Sequence, residues 1–306
     1  MILTVTLNPC VHRYLLYREP AAPSSVVRGV QARASSGGKG LNAARVVVQL
    51  GGEAMALATA CGATGELLRE CLARERVPAE LVPVAVPTRV STCVWDVEHH
   101  WFREYLEEGG GGDAAAAAEL SRRFALALPQ VGIVTVNGST PAGAFEPLPR
   151  QFVAAARAAG RTVVLDAYGP AAQAAATVPP HWLRANLDEL RTTWGVSGSD
   201  DLEPFRRRLG VDGVVISDGP RALHCVTAAR HLVAQPPPVR EVSAVGSGDA
   251  LTGAFALALE RGLPLDEALR WGAAAGAANA EQLLVCEFAP ERWRTLAAGV
   301  RVEVRR

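Results

Sequence analysis

Gly37-Gly38-Lys39-Gly40-Leu41-Asn42-Ala43-Ala44-Arg45 is a glycine turn running straight into an amphipathic segment. The segment reads as a helix over 39–50, ended by Gly51-Gly52, since glycine is the usual residue just past a helix end. Short buried runs flank it at 2–7 and 54–60, so the local pattern is strand, glycine turn, helix, strand. Outward from there the alternation continues, with helices expected at 65–75, 145–159, 249–260 and 264–281. Strands are expected at 79–84, 131–136, 162–166 and 213–217, and the run after Gly109 reads as a loop entering a helix. β-branched runs alternating with Ala/Leu-rich helices predict a mostly parallel sheet covered on both faces. Two stretches, about 12–34 and 89–106, break the rule. They are β-rich and aromatic, with no helix between their strands, and read as an inserted second sheet that must cover something or pair with another chain.

Composition narrows the function. The 306 residues carry 31 basic and 31 acidic side chains, so no basic excess exists to neutralise nucleic-acid phosphates or a membrane surface. No apolar run approaches the length of a membrane span, and the N-terminal residues lack the pattern of a secretory signal. The six cysteines are scattered without a C-x-x-C pair and read as free thiols of a reducing cytosol. The adjacent His99 and His100 lack a second cluster of metal ligands and read as solvated. Among the basic residues only one, Lys39, is lysine. It sits inside the glycine turn, where a compact ammonium suits a tight phosphate pocket better than a planar guanidinium.

A second glycine turn, Gly246-Ser247-Gly248-Asp249, opens an apolar segment near the C-terminus. Unpaired N–H groups and the positive end of the helix dipole there suit an anion. Asp249 has two readings, a first-turn acid that helices favour anyway or a general base beside a phosphoryl group. Asn186-Leu187-Asp188-Glu189 is equally double-edged, a capping box or an Asn and Glu beside hydrated Mg²⁺. Neither a dinucleotide fingerprint nor a P-loop is present: Leu251 breaks G-x-G-x-x-G, Gly40 follows Gly38-Lys39 where Ser or Thr belongs, and Arg33 replaces the first P-loop glycine.

Taken in order, six motifs resemble the ribokinase-like sugar kinases of the phosphofructokinase-B family, nearest the branch of 1-phosphofructokinase and tagatose-6-phosphate kinase. They are Thr4–Pro9, Gly37–Arg45, Thr88-Arg89, Gly138-Ser139-Thr140-Pro141-Ala142-Gly143, Asn186-x-x-Glu189 and Val245–Asp249. The resemblance implies one ribokinase-like α/β domain over 1–306, a Rossmann-type three-layer sandwich whose β insertions form a lid and often a homodimer surface. It implies a cytoplasmic enzyme that moves the ATP γ-phosphoryl group to a hydroxyl of a sugar phosphate, with Mg²⁺. Asp249 would then be the base, and Gly246, Ser247 and Gly248 the anion hole. Gly38, Lys39, Asn42, Arg89 and Ser139 would hold the acceptor and its phosphate, with Asn186 and Glu189 organising Mg²⁺ through water. Ser217 and Gly219 would open the nucleotide loop, and Asn279 would approach adenosine.

The departures fall at the acceptor end. His12 stands where the family has a hydroxyl-binding Asp, and a neutral imidazole accepts one hydrogen bond, not two, and ordinarily titrates near pH 6.5. Ser91 replaces an Asn, and Leu106 replaces the Asn of T-E-x-N-E. Arg184-Ala185-Asn186 stands for K-P-N, and Ala222 for the last glycine of the nucleotide loop. A ketohexose phosphate or a relative with fewer hydroxyls is the expected acceptor. The competing expectation is a non-catalytic sensor of sugar phosphate or nucleotide on the same fold.

Overall fold

Ile2-Leu3-Thr4-Val5-Thr6 is buried along its whole length, as a central strand of a sheet covered on both faces must be. A computed structural model describes residues 1–18, 26, 29–96, 98 and 101–305; the His99-His100 pair lies outside them. After this first strand, β1 (Ile2–Thr6), the chain makes β2 (Cys10–Tyr17) and β3 (Gly29–Gly37) of a small sheet. It returns to the body as α1 (Lys39–Gln49), β4 (Ala54–Ala60), α2 (Gly62–Arg74) and β5 (Ala79–Pro83). The small sheet is completed by β6 (Arg89–Asp96) and β7 (Trp101–Leu106). Next come α3 (Ala114–Ala127), β8 (Ile133–Gly138), α4 (Leu148–Ala158), β9 (Thr162–Ala167) and α5 (Gly169–Ala176). Then follow β10 (Trp182–Asn186), α6 (Leu187–Trp194), α7 (Leu202–Leu209), β11 (Gly213–Asp218), β12 (Ala222–Thr227) and β13 (His231–Gln235). The chain ends in α8 (Ser247–Glu260), α9 (Leu265–Ala280), α10 (Pro290–Gly299) and β14 (Arg301–Arg305).

The main sheet has ten strands in the order β14-β13-β12-β11-β10-β9-β8-β1-β4-β5. From β11 to β5 every pairing is parallel, whereas β12, β13 and β14 add antiparallel strands at one side. The chain leaves β1 toward β4 and β5, then crosses back to β8 on the other side. That reversal makes a switch point at the carboxyl ends of β1 and β8, where open α/β sheets bind ligands. One apolar core lies on the side of α1, α8 and α9, and another on the side of α3, α4 and α5.

The alternating pattern was legible, with shifted ends. The strand expected at 131–136 lies at Ile133–Gly138, because residues 128–130 close a 3-10 turn in which Val131 N–H bonds to Leu128 O. The helix expected from 145 starts at Leu148 behind a tight turn, Leu148 N–H to Phe145 O. The helix expected from 65 starts at Gly62, and the one expected from 249 starts at Ser247. Both β insertions pair into one sheet, β3-β2-β6-β7, with β2 and β6 parallel.

Helix α8 is buried from Asp249 to Ala258 because α1 lies against one side of it and α9 against the other. The close approach to α1 falls at Gly253, where a Cβ would stand 2.5 Å from the carbonyl oxygen of Ala43. Backbone cannot yield as a flexible side chain does. Gly253→Ala is therefore expected to cost about 1–3 kcal/mol of unfolding free energy. Gly132→Ala, at an exposed position with nothing within 4 Å, should change it by less than about 0.5 kcal/mol. Urea denaturation of the two variants checks the contrast.

Candidate active site

The switch point is closed by short polar contacts. Helix α1 opens at Gly38, whose φ of 110° favours glycine; a side chain there would also meet Thr6 Cγ2 at 2.8 Å. Beside it the Asn8 amide donates to Ser139 Oγ at 3.0 Å. Arg89 donates to the carbonyls of Asn8 at 2.9 Å and Glu107 at 3.1 Å, tying β6 and the end of β7 to the β1–β2 corner.

Next to that corner lies a cluster of buried charge. Asp166, at the carboxyl end of β9 and 1% exposed, accepts from Lys39 Nζ at 3.0 Å and from Thr252 Oγ1 at 2.6 Å. Arg184 Nη1 stands 3.4 Å from the same carboxylate. Lys39 Nζ also donates to Glu189 Oε1 at 2.6 Å. Burial alone would lower the Lys39 ammonium, and the two carboxylates more than reverse it, so its pKa rises. Burial likewise acts to raise Asp166, and Lys39, Arg184 and the Thr252 hydroxyl together bring it below its ordinary value.

Asp249 occupies the first turn of α8 but caps nothing: the cap residue is Gly246, in a left-handed conformation and without a side-chain bond. Its Oδ2 instead accepts from Asn42 Nδ2 at 2.7 Å. Burial raises its pKa from 3.8 to about 7; Lys39 opposes that shift and the Asp166 charge adds to it. The carboxyl is thus poised to exchange a proton near neutrality. Ser247 N–H bonds to Ala244 O, and Gly248 and Asp249 present N–H groups that a helix start leaves without an intrahelical acceptor. Arg184 lies against this turn, since any Cβ at 248 would run into its guanidinium.

Two cavities meet at the turn. A charged one of about 470 Å³ is lined by Lys39, Arg184, Glu189, Ser217, Gly219 and Gly246 through Asp249. A largely apolar slot of about 360 Å³ is walled by Pro220, Leu223, Val239, Leu251, Ala273 and Ala277. They share Arg184, Ser217, Gly219, Ser247 and Gly248. A flat apolar group and a polyanion joined to it would fit this pair. A larger cavity, about 1220 Å³, lies elsewhere, between the small sheet and α1 and α2, and is lined by none of these groups.

Several of the expected site residues have partners within the protein. Lys39, expected at the acceptor phosphate, is held by two carboxylates and lines the cavity of the Gly246 turn. Asn42 is 3% exposed and spends its amide on Asp249. Asn279, 1% exposed, does not line the apolar slot. Its amide donates to Val245 O at 2.9 Å and Ser247 Oγ at 3.0 Å and accepts from Cys286 N–H at 2.7 Å, so it braces the turn from behind. Asn186 and Glu189 do form the full capping box at α6, and Glu189 still lines the charged cavity. Arg184 donates to Ser217 Oγ at 3.2 Å, while Gly219 lines both cavities.

His12 is 4% exposed, and neither ring nitrogen has a partner. Burial first, then the charges of Arg45 and Arg89, push it down to about 3, so the expected titration near pH 6.5 is lost and the ring stays neutral. His12 faces Ser91 across the parallel pair, and Ser91 faces Leu106 across the next. The three altered acceptor-end positions therefore form one row across the small sheet.

The sequence matches the pfkB family of carbohydrate kinases over residues 5–292. The chain belongs to that family. ATP-dependent 6-phosphofructokinase isozyme 2 of Escherichia coli K12 is 30% identical over 284 residues, spanning 90% of this chain and 91% of that one. A crystal structure of E. coli phosphofructokinase-2 with fructose-6-phosphate superposes with a TM-score of 0.86 at 27% identity, covering 97% of this chain and 98% of that one. A possible 1-phosphofructokinase from Thermotoga maritima agrees in fold, with a TM-score of 0.87 at 20% identity over 100% of this chain and 99% of that one. The α/β architecture is thus the ribokinase-like one of pfkB kinases.

Sequence reasoning passed over three residues of this pfkB-family site. Asp166 ends a buried parallel strand, and an acid at that position is itself a signal. Arg184 was noted only as a replacement, and Arg45 only as the end of a motif. Asn42 supplies a test. A hydrogen bond to a carboxylate is worth about 1.5–3 kcal/mol, so Asn42→Ala should raise the Asp249 midpoint by about 1–2 pH units. Difference infrared titration of the carboxyl stretch, assigned with Asp249→Asn, reads the shift.

Proposed function

We propose that this carbohydrate kinase transfers the γ-phosphoryl group of ATP to a hydroxyl of a sugar phosphate, with Asp249 as general base. The observation that carries the reading is a buried carboxyl held near pH 7 beside a helix start with unpaired N–H groups. In this step the acceptor oxygen bonds to the γ-phosphorus. The bond from that phosphorus to the bridging oxygen of ADP breaks, and the hydroxyl proton passes to Asp249 Oδ. The N–H groups of Gly248 and Asp249, with Lys39 and Arg184, offset the charge that spreads over the transferring oxygens. The apolar slot suits adenine, with the phosphates running past Ser217 and Gly219 to the turn.

Mg²⁺ is an expectation of this chemistry. Both oxygens of Glu189 already accept hydrogen bonds, from Lys39 and from the Asn186 N–H, yet its carboxylate still lines the charged cavity. That fits a metal held through water and by the nucleotide phosphates, since Mg²⁺ keeps several of its waters. When bound it would neutralise phosphate charge.

The acceptor end supports a phosphorylated ketose or a relative with a rearranged hydroxyl set. Arg89 and Ser139 flank the β1–β2 corner, while the His12–Ser91–Leu106 row offers fewer hydrogen-bond acceptors than Asp and Asn would.

A coupled ADP-release screen of sugar phosphates, unphosphorylated sugars and nucleosides identifies the acceptor. Asp249→Asn should then lower kcat on the order of 10²- to 10⁴-fold with ATP binding held within a few fold; retained turnover would refute the base assignment. The active form is the carboxylate, so kcat/KM of the wild type should rise with pH through about 7 and level off above it. His12→Asp should change which acceptors are used, and an unaltered acceptor profile would remove His12 from the acceptor site.

A further inference from the structure

One face of the small sheet carries a side-chain cluster whose donor atoms go beyond what phosphoryl transfer calls for. It is the face that bears Tyr14, whose hydroxyl accepts from the Val285 N–H at 3.0 Å. Three adjacent strands each contribute one residue: His12 from β2, Cys93 from β6 and Glu104 from β7. An imidazole nitrogen, the thiol sulfur and a carboxylate oxygen all lie within 4.8 Å of one another. His12 and Cys93 are buried, and Glu104 is half-buried.

The anomaly is the imidazole. Buried polar atoms nearly always find a partner, and each one left without costs about 1–3 kcal/mol. Both nitrogens of His12 are buried without one. Among the described residues neither nitrogen has a hydrogen-bond partner, which leaves a lone pair free for a ligand bond. Glu104, with a carboxylate oxygen within 4.8 Å of the imidazole, is oriented by the Ser91 hydroxyl, which donates to its Oε1 at 2.5 Å. Outer hydrogen bonds of this kind hold carboxylate ligands in place at metal centres.

We infer that His12, Cys93 and Glu104 bind one divalent cation of the borderline-soft class, Zn²⁺ above all, with a fourth position left to water. Nitrogen, sulfur and carboxylate oxygen in one set favour zinc over Mg²⁺ or Ca²⁺, which want oxygen alone. Zinc bonds of about 2.0–2.3 Å require the three ligand atoms to close in by roughly 1 Å, within reach of side-chain rotation at Cys93 and Glu104. On binding, the Cys93 thiol gives its proton to solvent, the sulfur–zinc bond forms, and His12 and Glu104 each donate a lone pair. The ion then ties β7 and β6 to β2. This site stands whether or not His12 also meets the acceptor.

Cobalt(II) added to the metal-free full chain is the probe, because a cobalt–thiolate bond announces itself by a charge-transfer band in the near ultraviolet. A Cys61→Ser background removes the half-exposed thiol. One equivalent should bind there with the charge-transfer band and the strong visible bands of four-coordinate cobalt, and Zn²⁺ should displace it. Cys93→Ser should abolish the band. His12→Gln should weaken Zn²⁺ at least about tenfold in competition with a chromophoric chelator. Should Cys93→Ser fail to fold by circular dichroism, Glu104→Gln on the outer strand carries the test with the same tenfold loss. No band in the Cys61→Ser chain, or one of undiminished intensity after the Cys93 substitution, overturns the assignment.

Discussion

The buried charges at the head of the main sheet are arranged around one carboxylate. Asp166 is 1% exposed, and a charge so placed is tolerable only when paired and hydrogen-bonded. Its partners come from separate elements: Lys39 begins α1, Arg184 lies on β10 and Thr252 belongs to α8. Glu189 on α6 joins through the same lysine. Withdrawing one member of such a set leaves a bare charge in a low-dielectric setting, at a cost of about 3–5 kcal/mol. The neighbouring Asp249 feels this arrangement too: burial is the main cause of its raised pKa, Lys39 opposes the rise and the Asp166 charge adds to it.

A second buried cation joins the small sheet to the same centre. Arg45, 3% exposed, donates to the Ser36 carbonyl and hydroxyl on β3, to Glu75 Oε2 at 3.0 Å and to Val285 O at 2.6 Å. It also reaches Asn42 Oδ1 at 3.4 Å, and Asn42 holds Asp249. Val285 in turn packs against Gly246, where a side chain would collide with it. One guanidinium thereby binds the base of the small sheet, the end of α2 and the loop behind the glycine turn at Gly246.

What could be read in the sequence was whatever repeats locally. The period of the apolar residues gave the parallel core, because strands buried on both faces must be apolar throughout, and the glycine turns marked the openings of α1 and α8. The capping box at Asn186 was equally local and equally legible. The strands β10, β12, β13 and β14 were not: short and partly exposed, they owe their existence to neighbours along the sheet rather than to their own pattern. The same division runs through the site. Asp249 and Lys39 were found because they sit in motifs, but the distance between Lys39 and Asp166 spans 127 positions. No spacing rule reports a pairing of that kind. The low pKa of His12 was hidden for the same reason, since burial and two distant arginines produce it.

Lys39 has a consequence outside binding and turnover. In most proteins the amine side chains are scattered over the surface, and acylation strikes them at random with little effect. Here that chemistry has a single side-chain address, and it lies between Asp166 and Glu189. Converting the ammonium to an amide would erase the positive charge separating two carboxylates and set them against each other. Among the side chains, a modification that is cosmetic elsewhere would in this chain fall on the lysine that joins Asp166 to Glu189.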